Sequence, residues 1–279
     1  MTSIGIYCCI SPGTEQYAEF LRNTCEINKS GKIDINYKAV LSGESFLPDG
    51  FEFIGKTHQC KDAVSFSHGL CLEKCYNYCI EDYVVFADTD MAVLYPEWDI
   101  ESINAITDKV AAFGTQFVRH VKRYKKFPAL FYCMFKRDIL KKCDPEWMPK
   151  VNKKNKIIKE KINDPYLAKA LSVPFNSMHK KDTAWKLKES FYKLDYLGEE
   201  IPMYYQYDNN AILKNMKSFN NDYLLKNKSN IFNWFMHEFH WNKKLFATHC
   251  GAGRNRLFDS QEVIMWRNCI KEYCNSNIV

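Results

Sequence analysis

Asp88 and Asp90 stand either side of Thr89, directly after the apolar run Val84-Val85-Phe86. Two carboxylates spaced i and i+2 at a strand end project to one side. They repel each other unless a cation sits between them. Hard oxygens of this kind suit Mg²⁺ or Mn²⁺, and such an ion can also bind a diphosphate. A plainer reading makes Asp88 the cap of a following helix. The apolar strand before the pair and the apolar "MAVL" after it favour a site.

Other chemistry-bearing groups argue for packing. Cys71, Cys75 and Cys79 recur every four residues behind His68, which makes one stripe on a helix. Zinc knuckles use tighter spacings on turns, so the stripe reads as core. "HEFH" at 237–240 lacks the spacing of a zinc-protease helix. Trp234, Phe235, Phe239 and Trp241 around it pack or line an acceptor cleft. "GAG" has no P-loop lysine, and the first turn has no G-x-G-x-x-G, which disfavours kinase and dehydrogenase chemistry.

The elements that would position Asp88 and Asp90 form an α/β pattern. "SIGIYCCI" at 3–10, "DINYKAVLSG" at 34–43 and "DYVVFAD" at 82–88 read as strands. "EQYAEFLRNTCEI" and "AVSFSHGLCLEKCYNYCI" between them read as helices. The alternation predicts a mostly parallel sheet flanked by helices, with ligands bound outside the strands' carboxyl ends. Residues 109–118 and 127–140 add two strand candidates. The Lys-rich stretch after 140 reads as a surface excursion. The chain beyond that stretch reads as more helical, with "DTAWKLKESFYKL" the clearest helix.

The chain has 279 residues, 46% hydrophobic and 26% charged, values of an ordinary globular protein with a large core. No stretch approaches a membrane span and no signal peptide is visible, so a cytoplasmic protein with reduced thiols is expected despite twelve cysteines. A net charge of +6 mildly favours acidic partners such as nucleotides.

The segment "SHGLCLEKCYNYCIEDYVVFADTDMAVLYPEWD" resembles the centre of family-2-like glycosyltransferases of the GT-A fold. "DTAWKL" at 182–187 resembles a later D-T-G-x-x-L segment of some of them, with Ala184 where Gly is usual. "ATHCGAGRNR" at 247–256 resembles their C-terminal His and Gly-rich stretch. The resemblance implies one GT-A domain over 1–279, with a nucleotide-sugar half at 1–140 and an acceptor half at 141–279. Asp90 would be a direct metal ligand, and Asp88 would hold ribose or bridge to the metal. His249 would complete the metal shell or touch the diphosphate. Gly251 and Gly253 would let backbone N–H groups approach phosphate oxygens, and Arg254 would add fixed positive charge. Ile10, Ser11 and Pro12 at the first strand's end would cradle base and ribose, or form a simple turn. His68 would contact the donor, or merely neighbour a helix cap. Asp182 would take the acceptor hydroxyl's proton in an inverting reaction, or cap a helix, or do both. Asp144, Asp164, Glu199 and Glu200 are weaker rivals.

The implied activity is metal-dependent transfer of a sugar, hexosyl or pentosyl, from a nucleotide-sugar, a UDP-sugar first, to a hydroxyl acceptor. A nucleotidyltransferase would need a Gly-rich, basic first loop that "CCISPGTEQY" lacks. For the acceptor a glycan or polysaccharide leads. The first alternative is a hydroxylated base in DNA, as in viral DNA-modifying transferases acting in a host cytoplasm. Lys122, Arg123, Lys125 and Lys126 would hold its phosphates, and Tyr204, Tyr205 and Trp234 would stack on a flipped base. The second alternative is a non-catalytic nucleic-acid-binding module.

Overall fold

A computed structural model describes residues 2–58, 64–117, 126–148, 183–184, 186–206, 208–220, 236–251 and 257–276. The expected architecture is what the chain forms: a sheet of mostly parallel strands with helices on both faces. The first half supplies β1 (Ser3–Ile10), α1 (Glu15–Asn28), β2 (Asp34–Ser42), β3 (Glu52–Thr57), α2 (Val64–Tyr78) and β4 (Tyr83–Ala87). β5 (Met91–Val93), α3 (Trp98–Ala105), β6 (Val110–Thr115), β7 (Tyr132–Lys136) and α4 (Arg137–Cys143) come next. Then come α5 (Leu187–Tyr192), β8 (Leu197–Ile201), β9 (Met203–Tyr205), β10 (Met236–Trp241), β11 (Lys244–Cys250) and α6 (Gln261–Ser276).

The main sheet has seven strands in the order β3-β2-β1-β4-β7-β6-β8, all parallel except β7. Its central strands are buried on both faces, and their side chains sort by alternation. Ile4, Ile6, Cys8, Val85, Ala87, Tyr132 and Met134 enter one core with α1 residues Ala18, Leu21 and Cys25. Tyr7, Val84, Phe86, Cys133 and Phe135 enter the other, against the helices α2, α4 and α5. Cys71, Cys75 and Cys79 lie in this second core, as the stripe reading expects.

A second sheet, β5-β11-β10-β9, is antiparallel and lies against the α1 face. Its far side is closed by α6 through Val263, Met265, Trp266, Cys269 and Ile270. The C-terminal part is helical in α5 and α6 as expected; its strands β8 to β11 were not foreseen. Among the described residues no helix is long and apolar enough to cross a membrane.

One buried charge network ties three strands. Lys38 on β2 lies 3.0 Å from Glu81 and 3.2 Å from Glu52, and the Tyr7 hydroxyl donates to Glu81 at 2.5 Å. Gly5 makes room for it, since a Cβ there would meet the Glu81 carboxylate and the Tyr7 ring. Burial alone would push the Lys38 ammonium's pKa down, but Glu81 and Glu52 outweigh it and hold it above its usual value.

Candidate metal and donor site

β1 leads outward to β2 and β3, while β4 lies on its other side. Strand order therefore reverses between β1 and β4, and the crevice at their carboxyl ends is where ligands enter such sheets. From β1 the chain turns at Ser11–Thr14. Thr14 donates to the Ser11 carbonyl and its hydroxyl oxygen accepts the Ser11 N–H at 3.0 Å. Gly13 takes φ of +87°, the left-handed conformation glycine tolerates. Of the expected cradle, Ile10 is a core side chain that offers only backbone, Ser11 is half-buried and Pro12 is exposed.

On the other side of the crevice, Asp88, Thr89 and Asp90 form the turn between β4 and β5. The two carboxylates converge because of this turn, not because of strand alternation. Backbone bonds fix both positions: the Asp88 N–H donates to the Phe131 carbonyl, and the Asp90 carbonyl accepts from Cys250 N–H, each at 2.9 Å. The pairing of β5 with β11, His249 against Met91, brings in the imidazole. His249 Nε2 lies 3.1 Å from Asp90 Oδ1. One ligand atom from each of Asp88, Asp90 and His249 falls within 4.8 Å of the others. His68, on α2, places Nε2 3.8 Å from Asp88 Oδ1. The sequence expected all four at the donor site, and the fold brings them together from separate elements.

Two groups that sequence reasoning missed hold His249 in place. Phe131 stacks on its ring at 4.6 Å and 20°. His237 on β10, paired in register with His249, puts Nδ1 3.3 Å from His249 Nδ1. Burial pushes His237 down to about 3, helped by repulsion from His249, so its imidazole is neutral. With its proton on Nε2, a neutral His237 can accept the Nδ1–H of His249. Burial also pushes His249 down, but the charge and hydrogen bond of Asp90 and the charge of Asp88 outweigh it and leave it raised. With Nδ1–H committed to His237, the lone pair of His249 Nε2 becomes available to a cation once the Nε2 proton leaves. That is the usual second contact of a metal-binding histidine.

The donor set, two carboxylates and one imidazole nitrogen, fits Mn²⁺ or Mg²⁺ in ligand type. Gly251 comes directly after β11 and is buried beside the site. Asp182, Gly253, Arg254, Lys122, Arg123, Lys125 and Trp234 lie outside the described residues. Lys126 is exposed, and Tyr204 and Tyr205 lie on β9.

No family model matches the chain and no curated protein matches it. Solved structures do. The mannosyltransferase PcManGT from Pyrobaculum calidifontis, in complex with GDP-Man and Mn²⁺, is 13% identical over 50% of this chain and 46% of its own, with a TM-score of 0.36. Glucosyl-3-phosphoglycerate synthase from Mycobacterium tuberculosis, in complex with Mn²⁺, UDP-Glc and phosphoglyceric acid, is 13% identical over 50% of this chain and 58% of its own, at 0.35. TarS 1–349 from S. aureus is 10% identical over 53% of this chain and 50% of its own, at 0.37. The match thus spans about half the length of these structures. At these values the chemistry of the site is carried by this chain's own residues: two carboxylates and an imidazole, braced by Phe131 and His237, at the switch point of an α/β sheet.

Proposed function

We propose that the protein is a divalent-metal-dependent glycosyltransferase of GT-A type, moving a sugar from a nucleotide-sugar, a UDP-sugar first, to a glycan hydroxyl. The observation that carries this reading is the convergence of Asp88, Asp90 and His249 within 4.8 Å at the β1/β4 switch point. In it, residues 1–140 and 141–279 work as one domain, since His249 from the second half completes the carboxylate pair of the first.

Asp88, Asp90 and His249 would hold the ion, which when bound supplies positive charge against a diphosphate. His237 keeps the proton on His249 Nδ1, and Phe131 fixes the ring plane. The Ile10–Pro12 backbone and His68 are assigned to the nucleoside. Gly251, Gly253 and Arg254 are assigned to the phosphates. Asp182 is assigned as base: it takes the acceptor hydroxyl's proton while the new bond forms at the anomeric carbon. The bond to the diphosphate breaks on the opposite face, which inverts the anomeric centre.

The test is mass spectrometry of the protein incubated with mixed nucleotide-sugars and Mn²⁺. Slow hydrolysis that releases one sugar and its nucleoside diphosphate, abolished by EDTA, is expected. No turnover of any nucleotide-sugar with or without metal would overturn the reading.

A further inference from the structure

A second cleft, of about 610 Å³, opens at the far edge of the main sheet. β8 lies three strand steps from β4 in the order β4-β7-β6-β8, or about 14 Å across the sheet at ordinary strand spacing. β8 runs parallel to β6, and both β6 and β4 are antiparallel to β7. The carboxyl end of β8 therefore lies on the same edge as the metal site, displaced sideways from it. Here the edge strand of the main sheet meets β9 and the β10–β11 hairpin.

The lining combines aromatic and polar side chains. Tyr204 and His240 pack with ring centroids 4.4 Å apart and planes tilted by 31°, beside half-buried Trp241. Asn210, Asn242 and exposed Glu199 supply amide donors, amide acceptors and a carboxylate. Glu200 also lines the cleft, with its carboxylate taken up by the Lys126 and Phe127 amides. Aromatic rings with a few polar groups among them are the composition of a small-molecule site. Rings accept the C–H faces of a sugar, and Asn and Glu accept or donate to its hydroxyls.

The cleft is also held rigid. Glu238 is fully buried and accepts the N–H of Ile212 at 2.6 Å and of Leu213 at 2.8 Å, and His240 Nε2 lies 2.9 Å from it. One carboxylate thus fixes both the 210–213 wall and the His240 imidazole. At the lip, Asn242 and Lys243 turn the hairpin with φ of 48° and 65°. Two-residue hairpins of this hand prefer glycine at the second position. This chain keeps a lysine there, in a conformation L-residues disfavour.

Charge selects the ligand. Two carboxylates and one lysine line the cleft, and Glu101 stands behind it, accepting from Trp241 Nε1 and the Asn242 amide. A phosphodiester backbone would meet net negative charge here. We propose that this cleft is a second saccharide subsite, separate from the metal site, that holds the neutral, hydroxyl-rich distal part of the acceptor glycan. It rests on the transferase reading above and excludes nucleic acid from this edge.

The test is calorimetric titration of the full chain, without donor or metal. The ligands are neutral glucan, mannan, galactan and xylan hexasaccharides, a hexagalacturonate and a short DNA duplex. At least one neutral hexasaccharide is expected to bind, with the galacturonate and DNA at least roughly tenfold weaker. Tyr204→Ala should weaken the neutral ligand by about tenfold, the scale of one lost ring contact, while Tyr204→Phe retains it. Glu199→Gln should narrow the gap between neutral and anionic oligosaccharides. Binding of UDP with Mn²⁺ should not change in Tyr204→Ala, which shows that the variant is folded. No binding of any neutral oligosaccharide, or equal binding by Tyr204→Ala, would overturn the proposal. Absent UDP binding by the unmodified protein would instead overturn the transferase reading, whatever the hexasaccharides do.

Discussion

Replacing His237 with Phe removes the ring nitrogen that faces His249 at the candidate metal site and keeps a planar ring in its place. His237 is 2% exposed and its Nδ1 lies 3.3 Å from His249 Nδ1. In the Phe variant the Nδ1–H of His249 faces hydrocarbon. Leaving a buried donor unpaired costs about 1–3 kcal/mol. Loss of the group that orients a metal-binding imidazole costs about 10–100-fold in metal affinity, roughly 1.4–2.7 kcal/mol. The first is a cost to stability and the second acts on the site, so thermal stability should fall and Mn²⁺ affinity should drop by about 10–100-fold. The assay is Mn²⁺ titration monitored by electron paramagnetic resonance in the presence of UDP, with thermal unfolding run in parallel. His237→Gln, whose amide oxygen can accept the same proton, should recover most of the loss. If His237→Phe binds Mn²⁺ as tightly as the unmodified protein, His237 does not position His249 for a cation and the reasoning fails.

Lys38→Met should destabilise the fold by about 3–5 kcal/mol, because it strands the buried Glu81 carboxylate, and Lys38→Met with Glu81→Gln should recover part of that in chemical denaturation. The Lys38 pKa is raised in the fold, so its contribution is complete below the unfolded value and is lost as pH rises through the folded one. Alkaline rather than neutral titration should therefore reveal it, with the unmodified protein losing stability above pH 10.5 and the double variant losing less. Asp182→Asn should abolish transfer but spare UDP-sugar binding, as measured by product formation against calorimetry; a fall in thermal stability alone would mark Asp182 as a helix cap.

Much of the main sheet was legible in the sequence. Strands such as "SIGIYCCI" and "VVF" are continuous apolar runs, the mark of burial on both faces, and helices separate them at regular intervals. Asp88 and Asp90 stood out because they end such a run. The second sheet did not stand out, because "MHEFHW" and "KLFATHC" are buried on both faces against different cores and show no clean alternation. His237 was set aside with "HEFH", whose spacing fits no zinc-protease helix. Its contact with His249 comes from strand register across a hairpin, which no spacing rule exposes. Phe131 reaches the site because β7 runs antiparallel to β4, a reversal that the sequence does not announce. The edge cleft draws on residues from 199 to 243 and exists only once the two sheets meet.

The function proposed here requires that Asp88, Asp90 and His249 form a cation-dependent diphosphate site. The most direct measurement is calorimetric titration of UDP into three samples: the protein with Mn²⁺, the protein with EDTA, and Asp90→Asn with Mn²⁺. Binding is expected in the first only, with Asp90→Asn still folded by circular dichroism. Equal UDP binding in EDTA, or undiminished binding by Asp90→Asn, would contradict it.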